Sequence, residues 1–155
     1  MSKAVSAVSC PLMPETDKCF LVCSLINNEL KGMRQMDDRV KEFIEYRERM
    51  NERILKSDNL DIKRFFNLDH AVYRPGALDA GAKELMGLVA SMVLRCNDCI
   101  LYHLTRCHEE GVKDEVLQEA LSIALVVGGS IVIPHMRFAF EMWDSLKRKT
   151  HTDGN

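Results

Sequence analysis

Between positions 36 and 146 apolar residues recur at steps of three and four, and no segment of useful length alternates apolar with polar. A chain with that period must bury stripes of helix against one another, which restricts it to an all-α domain. Met36, Val40, Phe43, Met50 and Ile54 stand at steps of three, four or seven among many Arg and Glu, predicting an amphipathic helix over 36–56. Its charges are of both signs and read as a solvated face.

Turn chemistry divides the rest. Ser57-Asp58-Asn59 ends the first helix, a shorter element covers 62–68, and Arg74-Pro75-Gly76 is a loop. Asp79 is an N-cap for the most apolar helix, carrying Leu85, Leu88, Val89 and Met92, which is expected at the centre of the core. Gly111 stops a helix over 97–110, and Gly128-Gly129 closes one over 115–127. Pro134 is tolerated in the first turn of a last helix over 135–147. The run 130–133 is β-like but too isolated to make a sheet. The expected architecture is a single-domain bundle of about six helices over 33–150. An N-terminal extension over 1–32, partly helical or weakly ordered, precedes it, and a flexible tail over 151–155 follows.

At 155 residues the chain is long enough to fold without disulfide staples. The formal net charge of -2 carries no electrostatic footprint for nucleic acid or an anionic membrane. No apolar run approaches the roughly 20 residues of a membrane span, and the first residues lack the pattern of a secretory leader. These features predict a cytoplasmic protein with neither nucleic-acid nor membrane partners. In a reducing cytosol six cysteines are not a structural framework, so clustered ones point to catalysis or metal binding. Cys10, Cys19 and Cys23 lie in the extension. Cys19 and Cys23 read first as small hydrophobes on a docking helix and second as another redox pair.

The informative cluster is Cys96-Asn97-Asp98-Cys99-Ile100-Leu101-Tyr102-His103. Cysteines spaced i, i+3 on a helix share a face, about 60° apart. A disulfide across so short a loop forms and breaks easily, which suits a catalytic couple. Cys96 stands near the start of its helix, where unpaired N–H groups and the macrodipole stabilise a thiolate. His103, one turn beyond Cys99, is placed to act as base or proton shuttle, and Asp98 could support it by holding a water or orienting an imidazole. Glu84 precedes Cys96 by twelve residues. On one unbroken helix it would point about 120° away, so it joins the site only if the chain bends near Arg95 or forms two separately packed helices. A bare CxxC also occurs in proteins without redox tasks, and buried cysteines serve as small hydrophobes.

Metal is the competing reading. Cys96, Cys99, His103 and Cys107 fall on one narrow helical stripe, with His108 off it, and a single helix cannot surround a zinc ion. No metal is therefore expected, and Cys107 reads as a packed thiol. No Gly-rich nucleotide loop is present, so no cofactor is expected either.

At these residues the chain resembles the carboxymuconolactone decarboxylase superfamily, in particular its alkylhydroperoxidase D-like branch. The resemblance spans about 78–146 and rests on Lys83-Glu84-Leu85, the segment Arg95 to Leu104 with its CxxC and His103, Gly111 and Gly128-Gly129. It implies an all-helical fold, homotrimers or homohexamers, and reduction of a peroxide or of a disulfide, with an external protein or dithiol as reductant. Position by position, Cys99 matches the attacking cysteine and Cys96 the resolving one, while Glu84 and His103 match the acid and histidine of the proton relay. Asp98 stands where the best-described redox members carry a second histidine, which implies slower peroxide turnover. Two other readings are lactone decarboxylation, which does not need the cysteine pair, and a non-catalytic helical assembly. His135 reads as a first-turn helix residue without a catalytic task.

Overall fold

The computed structural model describes the backbone of residues 15–152 and the side chains of 30–32 and 38–148. The side chains of Cys10, Cys19 and Cys23, and the last three positions, lie outside the described residues. The chain divides into two compact units, 1–35 and 36–155. In the first, the described backbone from Glu15 onward is helical.

Among the described residues all regular structure is helical: α1 (Glu15–Leu55), α2 (Leu60–Val72), α3 (Ala80–Val93), α4 (Asn97–Glu109), α5 (Asp114–Gly128), a 3-10 turn (Ser130–Val132) and α6 (Ile133–Thr152). The β-like run 130–133 thus forms that turn and the start of α6. Helix α1 begins well before the expected start at 36, and Leu30 and Met33 continue the three- and four-residue apolar steps ahead of Met36. Asn59 caps α2, its Oδ1 accepting from the Asp61 and Ile62 N–H groups, and Asp79 caps α3 by accepting from Ala82 N–H.

The core of the second unit forms where α3 packs on α4 and α5, and α4 on α6. Leu88 and Met92 from α3, Leu104 from α4, Leu121 from α5 and Met142 from α6 are fully or almost fully buried there, joined by Val40 from α1. Side chains of this size each contribute about 1.5–3 kcal/mol on burial. Helix α2 has no buried residue and exposes Phe65, Leu68 and Val72. Gly111, at φ 70°, ends α4: its N–H donates to His108 C=O, and the Val112 N–H donates to Cys107 C=O. A left-handed residue with this crossed pair of bonds is the usual helix stop and favours glycine.

Candidate functional site

The same stop occurs between α3 and α4, with arginine in the glycine position. Arg95 sits at φ 60° and is the one described non-glycine residue with positive φ. Its N–H donates to Met92 C=O at 3.1 Å, and the Cys96 N–H donates to Ser91 C=O at 3.1 Å. Cys96 is then itself the N-cap of α4. One helix ends and the next begins within three residues, which is the bend near Arg95 that the spacing of Glu84 requires.

Folding back on α3 brings α4 across Glu84. Glu84 Oε2 lies 2.7 Å from His103 Nδ1, and the two residues are 1% and 8% exposed. Since a carboxylate only accepts, the imidazole donates through Nδ1–H. His103 also lies against Gly87, one turn beyond Glu84. A Cβ at Gly87 would stand 2.4 Å from His103 Cε1 and 2.7 Å from the Tyr73 hydroxyl. The rings of Tyr102 and Tyr73 flank His103 at 5.1 and 5.5 Å between centroids. Burial raises the pKa of both phenols, and the Glu84 charge adds to it.

Cys96 and Cys99 form a disulfide, their Cα atoms 5.3 Å apart. Cys96 Sγ accepts from the Cys99 N–H at 3.3 Å, so the sulfur nearer the helix start serves as the capping group. Cys99 is exposed and Cys96 only partly so. Cys99 and His103 open on one cavity of about 470 Å³, walled by Phe43, Tyr46 and Met50 of α1 with Arg47 and Asp98 at its polar side. Glu84 opens on another, of about 500 Å³, lined also by Tyr73 and Arg106; Arg47, Asp69 and Tyr102 belong to both. The Arg47 guanidinium lies 3.9 Å from the centroid of the Tyr102 ring, a cation–π contact.

Asp98 is exposed in the first turn of α4, where a negative charge suits the helix dipole. The imidazole is oriented by Glu84, not by Asp98. Cys107 is fully buried in the core, its thiol pushed up to about 12 by burial, with the Glu84 and Glu110 charges adding to it. Three features have no clear mark in the sequence: Gly87, Arg106, whose Nε lies 3.7 Å from Glu84 Oε1, and the contact of His135 Nδ1 with Asn97 Oδ1 at 2.7 Å. The spacings Glu84 to Gly87 and His103 to Arg106, each i, i+3, were the available signals. His135 is a first-turn residue of α6, as expected, and it tethers the residue that follows Cys96.

The described residues form an all-helical domain with a CxxC disulfide at a helix start, beside a buried carboxylate–imidazole pair. The chain belongs to the carboxymuconolactone decarboxylase family, whose sequence pattern it matches over residues 62–142. The cysteine pair, Glu84 and His103 accord with the alkylhydroperoxidase D-like branch. A solved structure of a family member from Thermotoga maritima, for which involvement in an antioxidative response has been suggested, is 57% identical. The match covers 74% of this chain and 97% of that one, with a TM-score of 0.70. A family member from Legionella pneumophila, 23% identical over 74% of this chain and 96% of its own, shares the fold with a TM-score of 0.54. An uncharacterized protein of the cox locus of Paracoccus denitrificans is 28% identical over 82 residues, covering 53% of this chain and 74% of that protein.

Proposed function

We propose that the protein is a thiol-dependent peroxidase or disulfide reductase in which Glu84 and His103 serve Cys99. The observation that carries this reading is the buried Glu84–His103 pair at 2.7 Å, whose imidazole lines the same cavity as the exposed Cys99. In the reduced protein His103 takes the Cys99 proton, and Glu84 stabilises the imidazolium. The thiolate attacks one peroxide oxygen, the O–O bond breaks, and the leaving oxygen takes up a proton to depart as alcohol or water. Cys99 is left as sulfenic acid. Cys96 then attacks Cys99 Sγ, forming the disulfide and releasing water. An external dithiol, free or on a protein, returns the pair to thiols and is itself oxidised.

The exposures of the two sulfurs fit that return step. Attack on Cys99 Sγ expels the Cys96 sulfur, whose growing charge meets the Cys99 N–H and the start of α4. The apolar walls of the cavity suit an organic hydroperoxide or a peptide disulfide, and a reducing cytoplasm would supply the dithiol.

Turnover of cumene hydroperoxide with dithiothreitol tests this, using wild type, Cys96→Ser and Cys99→Ser. Cys99→Ser is expected to abolish turnover, and Cys96→Ser to trap a sulfenic acid on Cys99. Unchanged turnover in both variants would sink the thiol mechanism and favour lactone decarboxylation or a non-catalytic assembly.

The protein is also proposed to assemble as a homotrimer or homohexamer. Support comes from a face of α3 and α5 on which Met86, Leu94, Ile123 and Val127 are exposed, an apolar area for a second copy to cover. Light-scattering mass of the wild type and of Ile123→Glu checks it, and a monomeric wild type would refute it.

A further inference from the structure

Glu84 presents its two carboxylate oxygens to two side chains of α4. Oε2 meets His103 Nδ1 at 2.7 Å, and Oε1 faces Arg106 Nε at 3.7 Å. His103 and Arg106 are three residues apart, so they share a helix face and one carboxylate spans both. The guanidinium is held on its outer side too: NH1 is bonded to Glu109, and NH2 lies 3.5 Å from Glu110 Oε1. Partial burial works against its charge, yet the Glu109 and Glu84 carboxylates outweigh that and raise its pKa. With each nitrogen engaged by a different carboxylate, Arg106 has little freedom to turn away from Glu84.

A buried carboxylate is costly without a compensating positive charge. His103 cannot supply that charge and also act as a base, since an imidazolium has no lone pair to accept the thiol proton. We propose that Arg106 is the positioning residue of the relay. It fixes Glu84 Oε1 so that Oε2 faces His103, and it sets a permanent positive charge beside the buried carboxylate. This role rests on the reading of Glu84 and His103 as the relay serving Cys99.

The test is the rate at which iodoacetamide modifies Cys99 in the reduced protein, followed by peptide mapping at pH 7 for Arg106→Gln, Arg106→Lys, Glu84→Gln and the double variant Glu84→Gln/Arg106→Gln. Loss of a partner one step removed from the chemistry costs on the order of tenfold, and Arg106→Gln is expected to slow Cys99 by about that factor. Arg106→Lys should restore at least half of the rate, because it keeps the charge. The double variant should be no slower than Glu84→Gln alone, since Arg106 acts through that carboxylate. A lysine variant as slow as the glutamine one, or a further full loss in the Glu84→Gln background, overturns the role of Arg106. If Glu84→Gln slows Cys99 and Arg106→Gln does not, Arg106 has no such role while the relay stands. If Glu84→Gln leaves Cys99 unchanged, the relay falls and Arg106 with it.

Discussion

Glu84 Oε2 and His103 Nδ1 meet at 2.7 Å across nineteen positions of sequence, because α3 stops and α4 starts around Arg95. The contact is made inside the protein, with the exposed disulfide on the same helix less than two turns away. Under the proposed function, a fixed acid–imidazole pair beside the two cysteines is the arrangement a proton relay needs.

Gly87 makes room for that imidazole. Gly87→Ala places a methyl group 2.4 Å from His103 Cε1 and 2.7 Å from the Tyr73 hydroxyl, so both rings must move. Alanine favours helix over glycine by about 1 kcal/mol, and overpacking of this kind costs about 1–3 kcal/mol. The variant is expected to keep its helical content, lose up to about 2 kcal/mol in urea unfolding, and lose peroxide turnover at least about tenfold through the displaced base. Full turnover in Gly87→Ala would show that the position of the ring is immaterial.

Arg95 carries the strain of the turn. A left-handed conformation costs a side chain about 1–2 kcal/mol, more for a β-branched one, while glycine escapes that but gives up about 0.5–1 kcal/mol of chain entropy. Arg95→Gly should therefore match or slightly exceed the wild type in urea midpoint. Arg95→Val should fall below it by about 1–2 kcal/mol and lose activity as Glu84 and His103 are pulled out of register. Equal stability of the glycine and valine variants would contradict this account.

Cys107 sits one turn beyond His103, buried in the core, and is expected to take no part in the proposed thiol chemistry. Its thiol is pushed up to about 12, chiefly by burial, so near pH 8 almost none is ionised. Iodoacetamide at pH 8 should modify Cys96 and Cys99 in the reduced native protein and reach Cys107 only after unfolding. Early labelling of Cys107 by peptide mapping would mean that the core opens there.

Asp114 joins α5 to α6: Oδ2 accepts from Lys147 Nζ at 2.7 Å and Oδ1 from Trp143 Nε1 at 2.9 Å. These bonds, that to Lys147 first, hold its carboxyl below the usual carboxylate range. A group depressed in the folded state adds stability above its unfolded pKa of about 3.9 and loses it as the pH falls through the folded value. Asp114→Asn should lower the melting temperature at pH 7, with the difference from wild type shrinking below about pH 4. A difference that stays constant down to pH 3 would assign the effect to packing.

Helical period, the cap Asp79 and the stops Gly111 and Gly128-Gly129 are local signals, and α3, α4 and α5 lie where the spacing puts them. Helix ends were less legible: the backbone of α1 and α6 is helical beyond the ranges 36–56 and 135–147 that the apolar period marks. The thiol pair was legible for the same local reason. Cys96, Cys99 and His103 fall within eight consecutive residues, a range over which helical geometry alone settles who is near whom.

Glu84, twelve residues from Cys96, depended on a condition that sequence could state but not meet, a bend at a residue with no glycine to announce it. Gly87 and Arg106 had no reading at all, because a close approach and a shared carboxylate exist only once two helices are packed. The amino-acid sequence by itself determined the helical class, the cysteine pair and the candidate relay, since each rests on contacts within about one helical turn or on a resemblance carried by those residues. Only the tertiary structure decided that Arg95 adopts a left-handed turn and that α4 folds back on α3 to bring His103 onto Glu84. The physical reason is that an arginine accepts that conformation only where burial of the α3–α4 interface outweighs the strain, and such burial is a property of the packed helices and of no single segment.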